Sequence, residues 1–161
     1  MKPFMSMAPF ELLDYVGLDI GLHSMEYMMQ VLSPEYKPSA PLSALVKAGT
    51  LGKKTGRGIY DWSQGRPVID LSKATKEFDL NHMIALQVNE ATKLLEEGVA
   101  DDPKEIDLAM ANGGGSPFGP FALAQSIGYP VLLAKLEELY ARFKLEIFKP
   151  TKTMLEGNIK V

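Results

Sequence analysis

Apolar residues recur at helical spacing along almost the whole chain, in runs cut by glycine and proline. Pro9 opens the first run, where Phe10, Leu12, Leu13 and Val16 predict two turns of amphipathic helix before Gly17 interrupts. A longer stripe of Leu18, Ile20, Leu22, Met25, Met28, Met29 and Leu32 follows and stops at Ser33-Pro34. Three prolines between positions 34 and 41 predict an extended connector, after which Leu42, Leu45 and Val46 predict a two-turn helix closed by Gly49.

The clearest periodic segment joins Leu80, Met83, Ile84, Gln87, Val88, Ala91, Leu94 and Leu95 on one face, with Gly98 just past its end. Asp102 before Pro103, with Glu105 three residues on, predicts a capped helix start that carries Ile106, Ala109 and Met110 inward. The run Asn112-Gly113-Gly114-Gly115-Ser116-Pro117 breaks it. Pro120 then begins a short helix over Phe121, Leu123 and Ala124, ending near Gly128. Pro130 starts a longer one with Leu132, Leu133, Leu136, Leu139, Tyr140 and Phe143 on its stripe. Only Ile59 to Trp62 reads as extended, so the predicted class is all-α.

The two halves repeat each other. Ala8-Pro9-Phe10-Glu11-Leu12 through Gly17 lies over Gly119-Pro120-Phe121-Ala122-Leu123 through Gly128, an offset of 111 residues from Pro9 to Pro120. Leu22, Met25 and Met28 fall on Leu133, Leu136 and Leu139; after one inserted residue, Tyr36-Lys37-Pro38 falls on Phe148-Lys149-Pro150. A polar, irregular stretch over 64–78, with Gln64-Gly65-Arg66-Pro67 as a turn, predicts a linker between a first copy over 1–63 and a second over 79–161. The copies are trimmed unequally. Nothing in the first matches residues 80 to 115, and the second stops before anything matching Gly52-Lys53-Lys54-Thr55-Gly56, which reads as a piece of a longer protein.

Charge and composition narrow the chemistry. A net charge of -3 supplies no general attraction to nucleic acid or acidic membranes, so neither is expected as a partner. No apolar run reaches the length of a membrane span, and Met1-Lys2-Pro3-Phe4 is not followed by a signal-peptide core; a cytoplasmic protein is expected. Without cysteine there is no thiolate ligand or nucleophile, and His23 and His82 alone make a poor metal set, so no metal is expected. Glu96, Glu97, Asp101, Asp102 and Glu105 lack calcium-loop spacing and read as a solvated acidic edge. The glycines after Asn112 read as a sharp turn, and Met25, Met28 and Met29 as a pliable packing surface.

The stretch Gly49-Thr50-Leu51-Gly52-Lys53-Lys54-Thr55-Gly56-Arg57-Gly58 crowds glycines and bases together as phosphate loops do. A Walker loop needs a glycine five residues before Gly52 and a hydroxyl residue after Lys53, yet Lys47 and Lys54 stand there. The stretch therefore reads as an arm in which glycines turn the chain and Ile59, Tyr60 and Trp62 fasten it to the helices. A small site for a CoA or nucleotide phosphate, made from Lys53, Lys54 and Arg57, remains as a further reading.

Phe10-Glu11-Leu12-Leu13-Asp14-Tyr15-Val16-Gly17-Leu18-Asp19, followed by Leu51-Gly52-Lys53-Lys54-Thr55-Gly56-Arg57-Gly58-Ile59-Tyr60, resembles the C-terminal helical domain of 3-hydroxyacyl-CoA dehydrogenases. Asn89-Glu90-Ala91, Glu96-Glu97-Gly98-Val99-Ala100, Ile106-Asp107 and Ser116-Pro117-Phe118-Gly119-Pro120-Phe121 resemble the opening of the same domain in a second copy. The implied fold is the helical repeat of that domain and of 6-phosphogluconate dehydrogenase-like proteins. The implied activity is oxidation of a 3-hydroxyacyl-CoA to the 3-ketoacyl-CoA with NAD in fatty-acid β-oxidation.

The resemblance also implies what this chain does not hold. The family's G-x-G-x-x-G turn and its catalytic His–Glu pair belong to an N-terminal dinucleotide-binding domain without counterpart in these residues, so neither cofactor site nor catalytic residue is expected here. The complete protein is expected to bind NAD, and the isolated chain to be inactive. The family's Pro-Met-Gly-Pro-Phe turn, which meets the acyl chain, falls on Ser6-Met7-Ala8-Pro9-Phe10, with Ser6 and Ala8 departing from it. Its substrate-holding asparagine falls on Asn81, with His82 in place of the arginine after it; at the start of a second copy, Asn81 also reads as a plain helix-start residue. The candidate substrate-facing set is thus Met7, Pro9, Phe10, Lys53, Lys54 and Asn81. A homodimer is expected, because such domains pair in the family. The competing reading is a non-catalytic helical interaction module derived from this domain.

Overall fold

A computed structural model describes residues 7–70, 72, 75–114, 116–157 and 159. The described residues form eight α-helices and no strand, only the single antiparallel bridges Gly52 to Arg57 and Arg57 to Asp61. The chain divides into two compact units, Met7–Ala74 and Thr75–Val161.

In the first unit, α1 (Pro9–Val16) and α2 (Leu18–Val31) meet at Gly17, whose φ of 120° and ψ of 127° turn the chain without a loop. Such a φ strains any residue with a Cβ, which is why a glycine separates the two apolar stripes. The expected connector over 34–41 is more ordered than its prolines suggest. Ser33 Oγ accepts from Glu35 N and opens a 3-10 turn over Pro34–Tyr36; Ser39 Oγ accepts from Leu42 N and starts α3 (Ala40–Lys47) two residues early. Proline suits both first turns, where its missing N–H has no partner to lose. Leu18, Leu22 and Leu42 form the core, flanked by Leu13, Met25, Leu45 and Val46. A second 3-10 turn, Lys53–Thr55, leads into the arm that ends at Trp62.

The second unit contains α4 (Leu80–Glu96), α5 (Pro103–Gly113), α6 (Pro120–Ile127), α7 (Tyr129–Phe143), a 3-10 turn (Glu146–Phe148) and α8 (Lys152–Glu156). Gly128 joins α6 to α7 with φ 100° and ψ 127°, the geometry found at Gly17. The core gathers Ile84, Ala85 and Val88 of α4, Leu123 and Ala124 of α6, Leu132 and Leu136 of α7, and Met154 of α8. Ala91, Ile106 and Phe121 form a second cluster where α4, α5 and α6 meet.

Periodicity misplaces the buried face of α4. Leu80, Met83 and Leu94 are exposed, whereas Ala85, Asn89 and Thr92 are buried beside Ile84 and Val88. Polar side chains won those places because backbone groups of a distant segment need them, as described below. Ala109 of α5 is likewise exposed, so Ile106 alone carries that helix firmly inward. Helix α8 and the turn before it have no signal in the apolar pattern.

Candidate functional site

The arm of the first unit is held by one carboxylate. Asp14, on the inner face of α1 and fully buried, accepts from Ile59 N (2.8 Å), Tyr60 N (2.8 Å) and Trp62 Nε1 (2.9 Å). A buried carboxyl group is tolerable when it is hydrogen-bonded, and three N–H donors serve Asp14 here. Gly52 and Gly58 stand so close that a Cβ on either would overlap Asp14, its backbone in the first case and its carboxylate in the second. Gly52 and Gly58 thus make room for Asp14.

Beside it, Glu11 accepts from Arg66 Nε (2.5 Å), from Arg66 Nη2 (3.2 Å) and from Ala8 N (3.2 Å). Hydrogen bonding to the Arg66 guanidinium holds the Glu11 carboxyl below its usual range, against the opposing effect of burial. Residue 66, inside the stretch read as a linker, is therefore fastened to α1.

Within the first unit the predicted site residues do not converge on one place. Met7 and Lys53 line a cavity of about 270 Å³ with Tyr15, Trp62, Gly65 and Arg66. Lys53 Nζ lies 4.1 Å above the Tyr15 ring centroid, and the Tyr15 and Trp62 rings are 6.3 Å apart. Lys54 turns the other way, bonding both oxygens of Asp19 at 2.5 and 2.6 Å. That ammonium keeps the Asp19 carboxyl below its usual range and has its charge balanced in return. Pro9 is the first residue of α1. Phe10 lies in a separate apolar groove of about 590 Å³ with Leu13, Met25, Ser39, Pro41, Leu42, Leu45, Gly58 and Ile59. Asn81 is in the other unit, half-buried in the first turn of α4, where its N–H donates to Asp79 Oδ1.

His82, beside Asn81, has both ring nitrogens engaged. Asp79 N donates to Nδ1 (3.1 Å), so the proton of the neutral ring sits on Nε2, which meets Glu138 Oε2 at 3.0 Å. A histidine tied at both ends caps α4 and has no lone pair free for a substrate. His23 is exposed. Among the described residues no three histidine or acidic side chains come together as a metal site.

A second polar clamp escaped the sequence reading. Asn89 Nδ2 donates to Lys149 O (2.9 Å), and its Oδ1 accepts from Thr151 N (3.0 Å). Thr92 Oγ1 meets Thr151 Oγ1 at 2.7 Å, and Thr151 Oγ1 also accepts from Met154 N (3.1 Å) to start α8. At the other end of the unit, Asp107 of α5 accepts from Phe121 N and Ala122 N, both at 2.8 Å, and so caps α6. Asn89 lies off the apolar stripe read from the sequence, so its polarity there gave no sign of burial.

Short helix pairs jointed by glycine and locked by buried polar clamps define an all-α domain of the dehydrogenase C-terminal kind. The chain belongs to the 3-hydroxyacyl-CoA dehydrogenase, C-terminal domain family, whose model matches residues 3–62 and 78–157. It is 30% identical over 151 residues to the fatty acid oxidation complex subunit alpha of Vibrio campbellii, covering 85% of this chain and 21% of that protein. It is also 30% identical over 169 residues to the human peroxisomal bifunctional enzyme, covering 83% of this chain and 23% of that one. The crystal structure of 3-hydroxybutyryl-CoA dehydrogenase from Escherichia coli K12 matches in fold, with a TM-score of 0.79 at 20% identity over 94% of this chain and 51% of that chain. The chain thus spans about a fifth of the length of the curated relatives it matches. Among the described residues no helix is long and apolar enough to cross a membrane.

Proposed function

We propose that this chain is the substrate-facing and assembly-forming part of an NAD-dependent 3-hydroxyacyl-CoA dehydrogenase of fatty-acid β-oxidation, built from two copies of one helical domain. The observation that carries the two-copy reading is the pair of equivalent joints. Gly17 and Gly128 share one backbone geometry, each follows a Pro-Phe helix of eight residues, and each precedes a longer helix and a 3-10 turn. Hydride transfer is assigned to an N-terminal dinucleotide-binding domain that holds NAD, so the 161 residues alone are not expected to turn over. The complete protein is placed in the cytoplasm and is expected to associate as a homodimer.

For the acyl-CoA contact, Met7 and Lys53 have the best support, since they share a cavity walled by two aromatic rings. Lys54 has less, because Asp19 already balances it. Phe10 and Pro9 would meet the acyl chain, and Asn81 the substrate oxygen. Calorimetric titration of CoA into the chain tests the first assignment; heat that vanishes in Lys53→Ala supports it, and no heat at millimolar CoA refutes it. Reduction of acetoacetyl-CoA by NADH with the isolated chain would overturn the division of labour. A measured structure in which residues 9–47 and 120–156 fail to superpose would overturn the two-copy reading, and a strictly monomeric mass by light scattering the homodimer.

A further inference from the structure

His82 is buried in the first turn of α4 with a carboxylate at each end of its ring. Nδ1 lies 3.2 Å from Asp79 Oδ1, and Nε2 lies 3.0 Å from Glu138 Oε2. Lys135 of α7 bridges the same two carboxylates, its Nζ meeting Glu138 Oε2 at 3.0 Å and Asp79 Oδ2 at 3.3 Å. Four side chains thus close a circuit that runs from His82 to Glu138, Lys135, Asp79 and back. Bonding to Lys135 keeps the Glu138 carboxyl below its usual range, and bonding to Glu138 lifts Lys135 in return. Burial works to raise the Asp79 carboxyl, yet bonding to Lys135 and to His82 N keeps it low as well. Both carboxylates and the ammonium are therefore charged at neutral pH, with one negative charge in excess. Of the four groups only an imidazole changes its charge within the physiological range.

The surroundings add one more layer. Phe78 sets its ring edge-on to the imidazole at 5.5 Å, and Arg142 lies 5.0 Å above Phe78 while pairing with Glu77. The charged groups around the imidazole are accordingly Glu77 and Asp79 from the segment before α4, and Lys135, Glu138 and Arg142 from α7. Nδ1 is the atom on which two bonds compete. With the proton of the neutral ring on Nε2, Nδ1 accepts from Asp79 N at 3.1 Å and completes the capping box of α4. Once protonated, Nδ1 has no lone pair to offer, and Asp79 Oδ1 is the acceptor already within reach. Neither bond requires the ring to turn.

We infer that His82 is a proton-operated cap of α4: the neutral ring holds the backbone N–H of Asp79, and the protonated ring releases it and completes a circuit of alternating charges with Asp79, Lys135 and Glu138. The proton comes from water and settles on Nδ1, and no covalent bond between heavy atoms changes. Asp79 Oδ1 also accepts from Asn81 N at 2.8 Å, so the exchange alters the donors gathered around the first turn of α4. It does not depend on Asn81 meeting a substrate or on the two-copy reading.

Nuclear magnetic resonance of the full chain between about pH 5 and pH 8 tests the cap. The carbon-bound ring protons of His82, told from those of the exposed His23 by their loss in His82→Gln, report the state of the ring, and the Asp79 amide reports the cap. As the ring takes up its proton, the Asp79 amide proton should move upfield with the same midpoint. Its protection from exchange, corrected for the intrinsic effect of pH, should fall about fivefold or more. In His82→Gln the Asp79 amide should keep its position and protection, because glutamine at this place in a capping box reaches the same N–H and does not titrate. Glu138→Gln takes one carboxylate out of the circuit and should move the transition to more acid pH, with ring and amide still in step. An Asp79 amide indifferent to the ring, a change at Asp79 that survives in His82→Gln, a ring that keeps one state across the range, or a midpoint unmoved by Glu138→Gln each overturns the proposal.

Discussion

Asp14 and Trp62, 48 residues apart, are joined by a 2.9 Å bond from the indole N–H to a carboxylate that water does not reach. Two backbone N–H groups of the arm share the same acceptor. Asp14→Ala leaves three donors unmet in a buried place and should cost about 3 to 5 kcal/mol. Trp62 is the sole tryptophan, so urea unfolding followed by its fluorescence reports the loss directly. A change under about 1 kcal/mol would mean that the arm is held by apolar contact alone.

Gly58 and Asp14 compete for one space. Gly58→Ala should displace the carboxylate from its donors and cost about 3 kcal/mol, whereas Gly49→Ala, with nothing within 4 Å but a φ of 73°, should cost about 1 kcal/mol. In an Asp14→Ala background most of the Gly58→Ala penalty should vanish, since both changes break the same bonds. Additive penalties in the double variant would show that the clash lies elsewhere.

Asn89 tests the second clamp. Its removal as Asn89→Ala strands Lys149 O and Thr151 N near a buried face and should cost about 3 kcal/mol, loosening α8 first. Amide exchange locates the effect: Met154 and its neighbours in α8 should lose protection at denaturant concentrations where α4 keeps its own. Uniform loss across the unit would refute a local role.

Acid should loosen the first unit through Glu11. Bonding to Arg66 keeps this carboxyl below its ordinary value of 4.5, so the unfolded chain binds that proton more tightly than the folded one. The stabilisation is therefore complete above about pH 4.5 and is lost as pH falls through the lower folded value. Asp19, Asp61, Glu96 and Glu138 are also held low and contribute in the same direction, so the informative quantity is a difference between variants. Glu11→Gln should give a shallower acid limb in a plot of Tm against pH; parallel limbs would exclude the pairing.

How far the sequence discloses this architecture depends on the range of the forces involved. Pro9, Gly17, Pro120 and Gly128 mark helix ends correctly because a missing N–H and a positive φ act within a residue or two. The proposed repeat rests on the same local marks. Asn89, Thr92 and Asp14 were illegible as core residues, since their partners lie 45 to 62 residues away and polarity normally argues for the surface. The five-residue α8 depends on Thr151 and on one buried methionine, too little apolar signal for periodicity to register. Of the candidate site, the sequence named Met7 and Lys53 but not the Tyr15 and Trp62 walls around them, and it could not foresee that Lys54 turns toward Asp19.

Gly17 and Gly128 make the two helix pairs interchangeable in one respect. A chimaera carrying residues 9–31 in place of 120–143 would meet a joint of the same handedness, so the path of the grafted chain is already provided for. Its acceptance would be decided by side-chain volume, above all by whether Gly21 can stand where α4 expects Leu132. On the two-copy proposal the joint is the part held in common, and the surfaces around it are where the copies differ.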